Sequence, residues 1–127
     1  MVKDGAARGF TLIELLVVLA IVAMLLTLAV PRYFHTIDSA KETILVENLR
    51  TTRDAIDKFY ADKGRYPEAL EELVSSKYLR APPYDPLLES NEQWTLLPPP
   101  GDAKGKVYDL KSSAPGQTNL GKPIAEL

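Results

Sequence analysis

The stretch that decides the fold is residues 8–31, which read RGFTLIELLVVLAIVAMLLTLAVP. Between residues 10 and 30 the polar side chains are those of Thr11, Glu14 and Thr27. A helix needs about 20 apolar residues to cross the hydrocarbon core of a bilayer. The run meets that length, and it is longer than the apolar region of an ordinary cleaved signal peptide. We therefore expect a membrane-spanning helix that is retained as an anchor.

Glu14 is the unusual residue of this span. A carboxylate in hydrocarbon costs about 3 kcal/mol even on lenient insertion scales, so such residues usually have a partner. The segment between Gly9 and Pro31 contains no Lys or Arg that could serve. Two interpretations stay open: the carboxylate reaches the lipid headgroups, or it meets a positive charge of another chain. A free amino terminus would provide that charge if the chain began at Phe10.

The sequence GFTLIE at residues 9–14 resembles the cleavage and methylation signal of type IV pilins and of their relatives, the pseudopilins. In that family a prepilin peptidase removes a short charged leader that ends in Gly, and then methylates the new terminal Phe. The resemblance implies that residues 1–9 are the leader, that cleavage follows Gly9, and that Phe10 becomes the methylated terminus. It also implies that Glu14 pairs with the terminal amine of a neighbouring subunit during assembly.

Beyond the apolar span the pattern changes to that of an amphipathic helix. Apolar residues recur at spacings near three, four and seven: Ile37, Ile44, Leu45, Leu49, Ile56, Phe59 and Tyr60. Charged residues, Arg53 among them, would occupy the other faces. We expect one long helix that ends near Lys63, before Gly64, with its apolar stripe packed on the C-terminal residues. Pro31 should kink this helix, because it lacks an amide donor and clashes with the preceding turn; the family resemblance implies the same.

A short second helix is predicted within residues 66–79, YPEALEELVSSKYL. Pro67 can take its first position, and Glu68 can complement the positive end of the helix dipole. The adjacent acids Glu71 and Glu72 are more simply a solvated face than an acid/base pair.

Two runs rich in strand-forming residues, 92–97 and 106–111, predict an antiparallel pair of strands, with Trp94 as a core residue. The remaining residues to 127 should form a surface loop. Together with the resemblance, these elements predict an α+β fold of the type IV pilin kind. Its expected parts are a cleaved leader, 1–9; a transmembrane and polymerisation helix, 10–30; the amphipathic periplasmic half of that helix, 31–63; and a C-terminal part with a short helix, two to three strands and a terminal loop, 64–127.

The order of these elements resembles the major, G-type pseudopilins of type II secretion systems. The resemblance is carried by Tyr66-Pro67, Tyr78-Leu79, Asp85-Pro86 and Tyr108-Asp109-Leu110. Many members of that subgroup bind a calcium ion in the loop after the last strand, through acidic side chains and backbone carbonyls.

The corresponding loop here, SSAPGQTNLGKPIAEL, lacks acidic residues close behind Asp109 and has Pro115 and Gly116 in that region. Calcium prefers several oxygen ligands, usually with carboxylates among them. Oxygens could come from Ser112, Ser113, Asn119 and Glu126, but no spacing singles these residues out. We expect a loop without metal, no cofactor, and a structural role for Asp109 as the cap of a turn.

Composition excludes several classes of function. The formal net charge is −2 with mixed signs along the chain, so no basic stripe for nucleic acid is present. The chain has no Cys and a single His, and it shows no metal-ligand spacing and no Gly-rich phosphate loop. We therefore expect a protein that is not an enzyme and does not bind nucleic acid.

The resemblance implies a structural subunit of a periplasmic filament. Its partners would be copies of itself, other pseudopilins, the prepilin peptidase and an assembly platform in the bacterial inner membrane. A single span with a cytoplasmic N-terminus and a periplasmic C-terminal part is expected, since Lys3 and Arg8 precede the span. Two alternatives stay open: a minor pilin of a type IV pilus or DNA-uptake system, and a monomeric, membrane-anchored periplasmic binding module.

Overall fold

The computed structural model describes residues 9–127, so the expected leader lies outside the described residues except for Gly9. The elements follow in this order: helix α1, Leu12–Lys63; helix α2, Leu70–Ser75; strand β1, Trp94–Leu97; strand β2, Asp109–Ser112; and a short 3-10 helix, Ile124–Glu126. The α+β fold with one long N-terminal helix is confirmed, and α1 ends at the expected residue.

The chain divides into two compact units between Ile37 and Asp38, and α1 contributes to both. In the first unit every residue from 9 to 34 is exposed, the apolar ones included. Among the residues that the structure describes, α1 is the helix long and apolar enough to cross a membrane.

Pro31 lies inside α1, and the helix continues on both sides of it. Two threonine hydroxyls near it bond back to the preceding turn: Thr27 Oγ1 donates to the Ala23 carbonyl at 2.8 Å, and Thr36 Oγ1 donates to the Arg32 carbonyl at 3.0 Å. Such bonds satisfy a hydroxyl within a helix and often accompany bending. The kink at Pro31 itself stays a prediction.

The core of the second unit is built on one face of α1. Leu45, Leu49, Ile56 and Phe59 are each at most 1% exposed. They belong to one cluster with buried residues of the later elements, namely Leu70, Leu73, Trp94, Val107, Leu110, Ala114 and Ile124. The expected packing of the apolar stripe on the C-terminal residues is therefore confirmed, as is the place of Trp94 in the core.

Two positions of the predicted stripe are wrong. Ile44 and Tyr60 are 49% and 42% exposed, whereas Thr52 and Ala55, which the stripe omitted, are buried. Each exposed residue directly precedes or follows a buried one and so points about 100° away from it round the helix axis. The Thr52 hydroxyl is accommodated in the core because it donates to the Asn48 carbonyl at 2.8 Å.

Helix α2 begins later than expected. Pro67 and Glu68 precede it, and Ala69, the residue before its first turn, has an extended backbone. Pro67 is buried, and its carbonyl accepts the N–H groups of Lys106 at 3.0 Å and Val107 at 2.9 Å. Because these distant contacts fix Pro67 in a loop, its predicted place at the helix start is wrong. Glu68 directly precedes the cap residue Ala69, and its expected dipole role stays a prediction.

Strands β1 and β2 pair antiparallel over four residues each, with Trp94 opposite Ser112. Strand β1 lies within its predicted run, whereas β2 begins three residues later than predicted. The segment before β2 packs on the Tyr66–Pro67 segment. Two of its amides donate to the Pro67 carbonyl, and Gly105 lies against Tyr66. A β-carbon at Gly105 would lie 2.2 Å from the Tyr66 carbonyl oxygen.

Candidate functional site

The described part of the expected processing site lies just before α1. Gly9 and Phe10 are outside the helix, and the Phe10 side chain is 82% exposed. Cleavage after Gly9 would leave Phe10 as the first residue, two positions ahead of the helix start at Leu12. The bond between Gly9 and Phe10 is therefore in exposed, irregular backbone, which is where proteolysis concentrates.

Thr11 caps the start of α1. Its Oγ1 accepts the Glu14 N–H at 3.1 Å, and its carbonyl accepts the Leu15 N–H at 3.2 Å. Thr at the cap with Glu three residues later is the capping-box pattern, and a carboxylate in the first turn complements the helix dipole. The role of Thr11 is not among the predictions, although the Thr-x-x-Glu spacing carries the signal.

Phe10 and Glu14 share one surface at the helix start. Together with Ile13, Val17 and Val18 they line an open groove of ≈ 430 Å³. Apart from the Glu14 carboxylate, the side chains of this lining are hydrocarbon. Burial of such a groove would leave the carboxylate without water, at a high cost unless a positive charge accompanied it.

A second polar cluster, in the second unit, centres on Arg53. Its Nε donates to Asp109 Oδ1 at 2.7 Å, and its Nη2 donates to the backbone oxygens of Leu110 at 2.9 Å and Leu127 at 2.8 Å. Asp109 Oδ1 also accepts the Leu110 N–H at 2.7 Å. We expected Arg53 on a solvated face and Asp109 at a turn; instead the pair joins α1 to β2 and to Leu127.

Glu72 is a further charged residue with a structural role. Arg65 donates from both Nη atoms to its two carboxylate oxygens at 3.0 Å and 2.8 Å, and the Glu68 N–H donates to it at 2.8 Å. The bonds from Arg65 first, and then from Glu68, lower the pKa of Glu72 to about 2. The expectation of a solvated face holds for Glu71, which is exposed, and is wrong for Glu72.

Comparison with known proteins decides the family. Residues 5–30 match the prokaryotic N-terminal methylation motif. The type II secretion system core protein G of Klebsiella pneumoniae is 28% identical, over 88% of this chain and 89% of that protein. Its counterpart from Xanthomonas campestris pv. campestris is 30% identical, over 91% of this chain and 87% of that protein. The chain belongs to the family of type II secretion system core protein G.

A type IV pilin is also similar to this member of the core protein G family. The type IV major pilin protein PilA of Myxococcus xanthus is 35% identical over 66 residues, which cover 52% of this chain and 30% of the pilin. No solved structure matches the chain. The core proteins match over most of their length and the pilin over less than a third, so the resemblance to G-type pseudopilins is confirmed.

The calcium ion that this resemblance implies does not fit the loop after β2. In the described chain, residues 9–127, no group of three His, Cys, Asp or Glu side chains lies close enough to hold a metal ion. Two of the side-chain oxygens that could serve as ligands have protein partners, since the Ser112 hydroxyl bonds Asp85 and the Ser113 hydroxyl bonds Thr95. The Asn119 side chain is held by its amide nitrogen, which donates to Ser39 Oγ. The fourth candidate, Glu126, is exposed. Calcium needs several free oxygens gathered at one point.

Proposed function

We propose that the protein is a pseudopilin, a structural subunit of a periplasmic filament in a type II protein secretion machine. The single observation that carries the proposal is family membership, with 30% identity to a core protein G over 91% of this chain. The methylation motif at residues 5–30 supports processing by a prepilin peptidase. In this role the protein performs no chemistry of its own; the peptidase acts on it, with Gly9 before the cut and Phe10 as the methylated terminus.

The exposed apolar half of α1 would be surrounded first by the membrane and later by neighbouring subunits. Before assembly it lies in the inner membrane as a single span, with the second unit in the periplasm. In the filament the same side chains pack on those of neighbouring subunits. Their uniform exposure from residue 10 to 30 supports this, because a surface that is apolar on every side needs a surrounding apolar partner.

Glu14 sets the register of assembly in this proposal. The amino group of Phe10, freed by cleavage, supplies the positive charge that residues 10–30 otherwise lack, and it pairs with Glu14 of a neighbouring subunit. An ion pair in apolar surroundings stabilises little, but a mismatched position leaves a charge buried alone at a cost of about 3–5 kcal/mol. A subunit could then enter the filament at one axial position only.

The partners proposed are copies of this chain, other pseudopilins, the prepilin peptidase and the inner-membrane assembly platform. A minor pilin of a type IV pilus or DNA-uptake system is the nearest alternative, and the pilin match over 30% of PilA gives it weaker support than the core proteins have. A monomeric membrane-anchored binding module would use the same signal for export without assembling.

The test is Glu14→Ala in the full-length chain, expressed in a bacterium that has the secretion machine. Intact mass of the wild-type chain should correspond to a start at Phe10 plus one methyl group. The variant should be cleaved and inserted normally, while its filament yield falls at least about tenfold because the amine of each entering subunit lacks its counter-charge. Glu47→Ala is the matched control, since Glu47 lies on the same helix with 66% of its side chain exposed.

Full filament yield from Glu14→Ala would exclude the register role. A wild-type mass that still includes residues 1–9 would show that the signal is not used, and would favour the monomeric binding module.

A further inference from the structure

The loop after β2, residues 113–127, is attached to α1 by side chains of the helix. The first attachment is Arg53. Its three hydrogen bonds end on one side-chain carboxylate oxygen, from Asp109, and on the backbone oxygens of Leu110 and Leu127. The side chains of Arg53 and Asp109 are 33% and 26% exposed, so the contact is partly shielded from water. A cation is thus held by the kinds of oxygen, carboxylate and carbonyl, that a calcium ion gathers from a loop.

We propose that Arg53 performs in this chain the structural task that a bound calcium ion would perform. The guanidinium is a permanent cation with five donors in a rigid fork, so it can bind several oxygens from separate segments at once. It joins α1, β2 and Leu127. The second unit is therefore complete without a divalent metal. This inference concerns stability and is independent of the filament role proposed above.

The second attachment lies nearer the start of the second unit. Both carboxylate oxygens of Glu42 accept the backbone N–H of Asn119, at 3.0 Å and 3.2 Å. The side-chain amide of Asn119 donates to Ser39 Oγ at 2.5 Å. The Glu42 carboxylate is thus committed to a backbone donor of the loop, which a cation would have to displace.

Several backbone N–H and carbonyl groups of the loop form hydrogen bonds with each other. The Thr118 N–H donates to the Lys122 carbonyl at 2.8 Å, the Gly121 N–H to the Thr118 carbonyl at 2.9 Å, and the Ile124 N–H to the Gly116 carbonyl at 3.1 Å. Ile124, 5% exposed, fixes the end of this turn in the core. Lys122 adds a positive charge to the turn, which opposes the approach of another cation.

The first measurement is thermal unfolding of the full-length chain in detergent, followed by the fluorescence of its single Trp, Trp94. Extracellular calcium modules bind with dissociation constants of about 10⁻⁴–10⁻³ M, so about 10 mM CaCl2 would load such a site and raise Tm by about 5 °C or more. We expect Tm in CaCl2, in MgCl2 and in EDTA to agree within about 1 °C. A rise of Tm in CaCl2 alone, with one calcium ion bound per chain in equilibrium dialysis, would overturn the proposal.

The second measurement replaces the guanidinium. Arg53→Met keeps the length of the side chain and removes its charge and donors, so Tm should fall by about 5–15 °C, and added CaCl2 should not restore it. Arg53→Lys should recover less than half of the loss, because an ammonium lacks the fork. Arg50→Met is the matched control: Arg50 lies one turn earlier with 75% of its side chain exposed, and its substitution should leave Tm unchanged within about 1 °C.

Equal Tm values for Arg53→Met and Arg50→Met would show that Arg53 does not hold the loop. If Arg53→Met does not fold, the metal titration of the wild-type chain and the Arg53→Lys comparison still decide the question.

Discussion

The two halves of α1 share a secondary structure and differ in what surrounds them. Residues 9–34 are all exposed, whereas in the second unit Leu45, Leu49, Ile56 and Phe59 are fully buried by the rest of the chain. The sequence pattern accounts for the difference. A helix that is apolar on all sides needs an apolar surrounding, while a stripe with a period near 3.6 needs a partner on one side only. The first half therefore depends on membrane or neighbours, and the second on its own chain.

The largest expected effect comes from a core substitution in the second half of the helix. Phe59 is fully buried, its ring lies edge-on to Tyr78 with centroids 5.4 Å apart, and the Arg65 guanidinium carbon lies 5.1 Å from its centroid. Phe59→Ala should lower the free energy of unfolding of the second unit by about 3–5 kcal/mol, because it leaves a cavity and removes both contacts. Urea unfolding of the full-length chain in detergent, followed by Trp94 fluorescence, measures this.

Leu19→Ala is the control in the first half, where the side chain is 56% exposed. It should change the same unfolding free energy by less than about 0.5 kcal/mol. A loss at Leu19 comparable to that at Phe59 would mean that the two halves are not independent.

Local pattern was enough to predict the long helix, its end near Lys63, strand β1 and the place of Trp94. These depend on the spacing of apolar residues and on turn residues within a few positions. The predictions fail where segments far apart in sequence meet. Arg53 and Asp109 are 56 residues apart, and nothing near either of them shows that they pair. From local sequence Pro67 is likewise predicted to start a helix. In the structure it lies in a loop, because its carbonyl accepts the N–H groups of Lys106 and Val107.

The candidate site divides in the same way. The short motif that carries Gly9, Phe10 and Glu14 is local, and the family comparison recognises the same region. The attachments of the C-terminal loop could not be predicted, because Glu42 and Asn119 are 77 residues apart. The sequence around each of them is typical of a surface residue. Charged residues on a helix are usually solvated, and only the fold shows which of them are not.

A smaller loss of unfolding free energy is expected at Gly105, where two segments of the second unit lie in close contact. Its φ is +105°, and an added β-carbon would lie 2.2 Å from the Tyr66 carbonyl oxygen, which is backbone and cannot move aside cheaply. Gly105→Ala should therefore cost about 2–4 kcal/mol of unfolding free energy, from backbone strain and the collision together.

Gly101→Ala measures the cost of backbone strain without the collision with Tyr66. Gly101 also has a positive φ, +64°, but nothing lies within 4 Å of its ideal β-carbon, so the cost should be about 1 kcal/mol. Equal losses at the two glycines would show that the contact with Tyr66 does not constrain the segment before β2.

The smallest effect concerns Glu72 and depends on pH. Its pKa is lowered from 4.5 to about 2 by Arg65 and by the Glu68 N–H. A carboxyl with a lower pKa in the folded state contributes stability that is fully present above pH 4.5, and this is lost as the pH falls from 4.5 toward 2. Since the side chain is 25% exposed, solvent screens the pair, and Glu72→Gln should cost about 1 kcal/mol at neutral pH.

The pH dependence tests the pair more sharply than the loss at neutral pH. Between pH 4.5 and 2 the wild-type Tm should fall toward that of Glu72→Gln, because protonation removes the same charge that the substitution removes. Glu71→Gln, at the exposed neighbouring position, should leave the shape of the curve unchanged. Parallel curves for wild type and Glu72→Gln would mean that Arg65 and Glu72 do not interact in solution. The segments of the second unit would then be joined by its apolar core and by its other hydrogen bonds, among them those of Arg53 and Glu42.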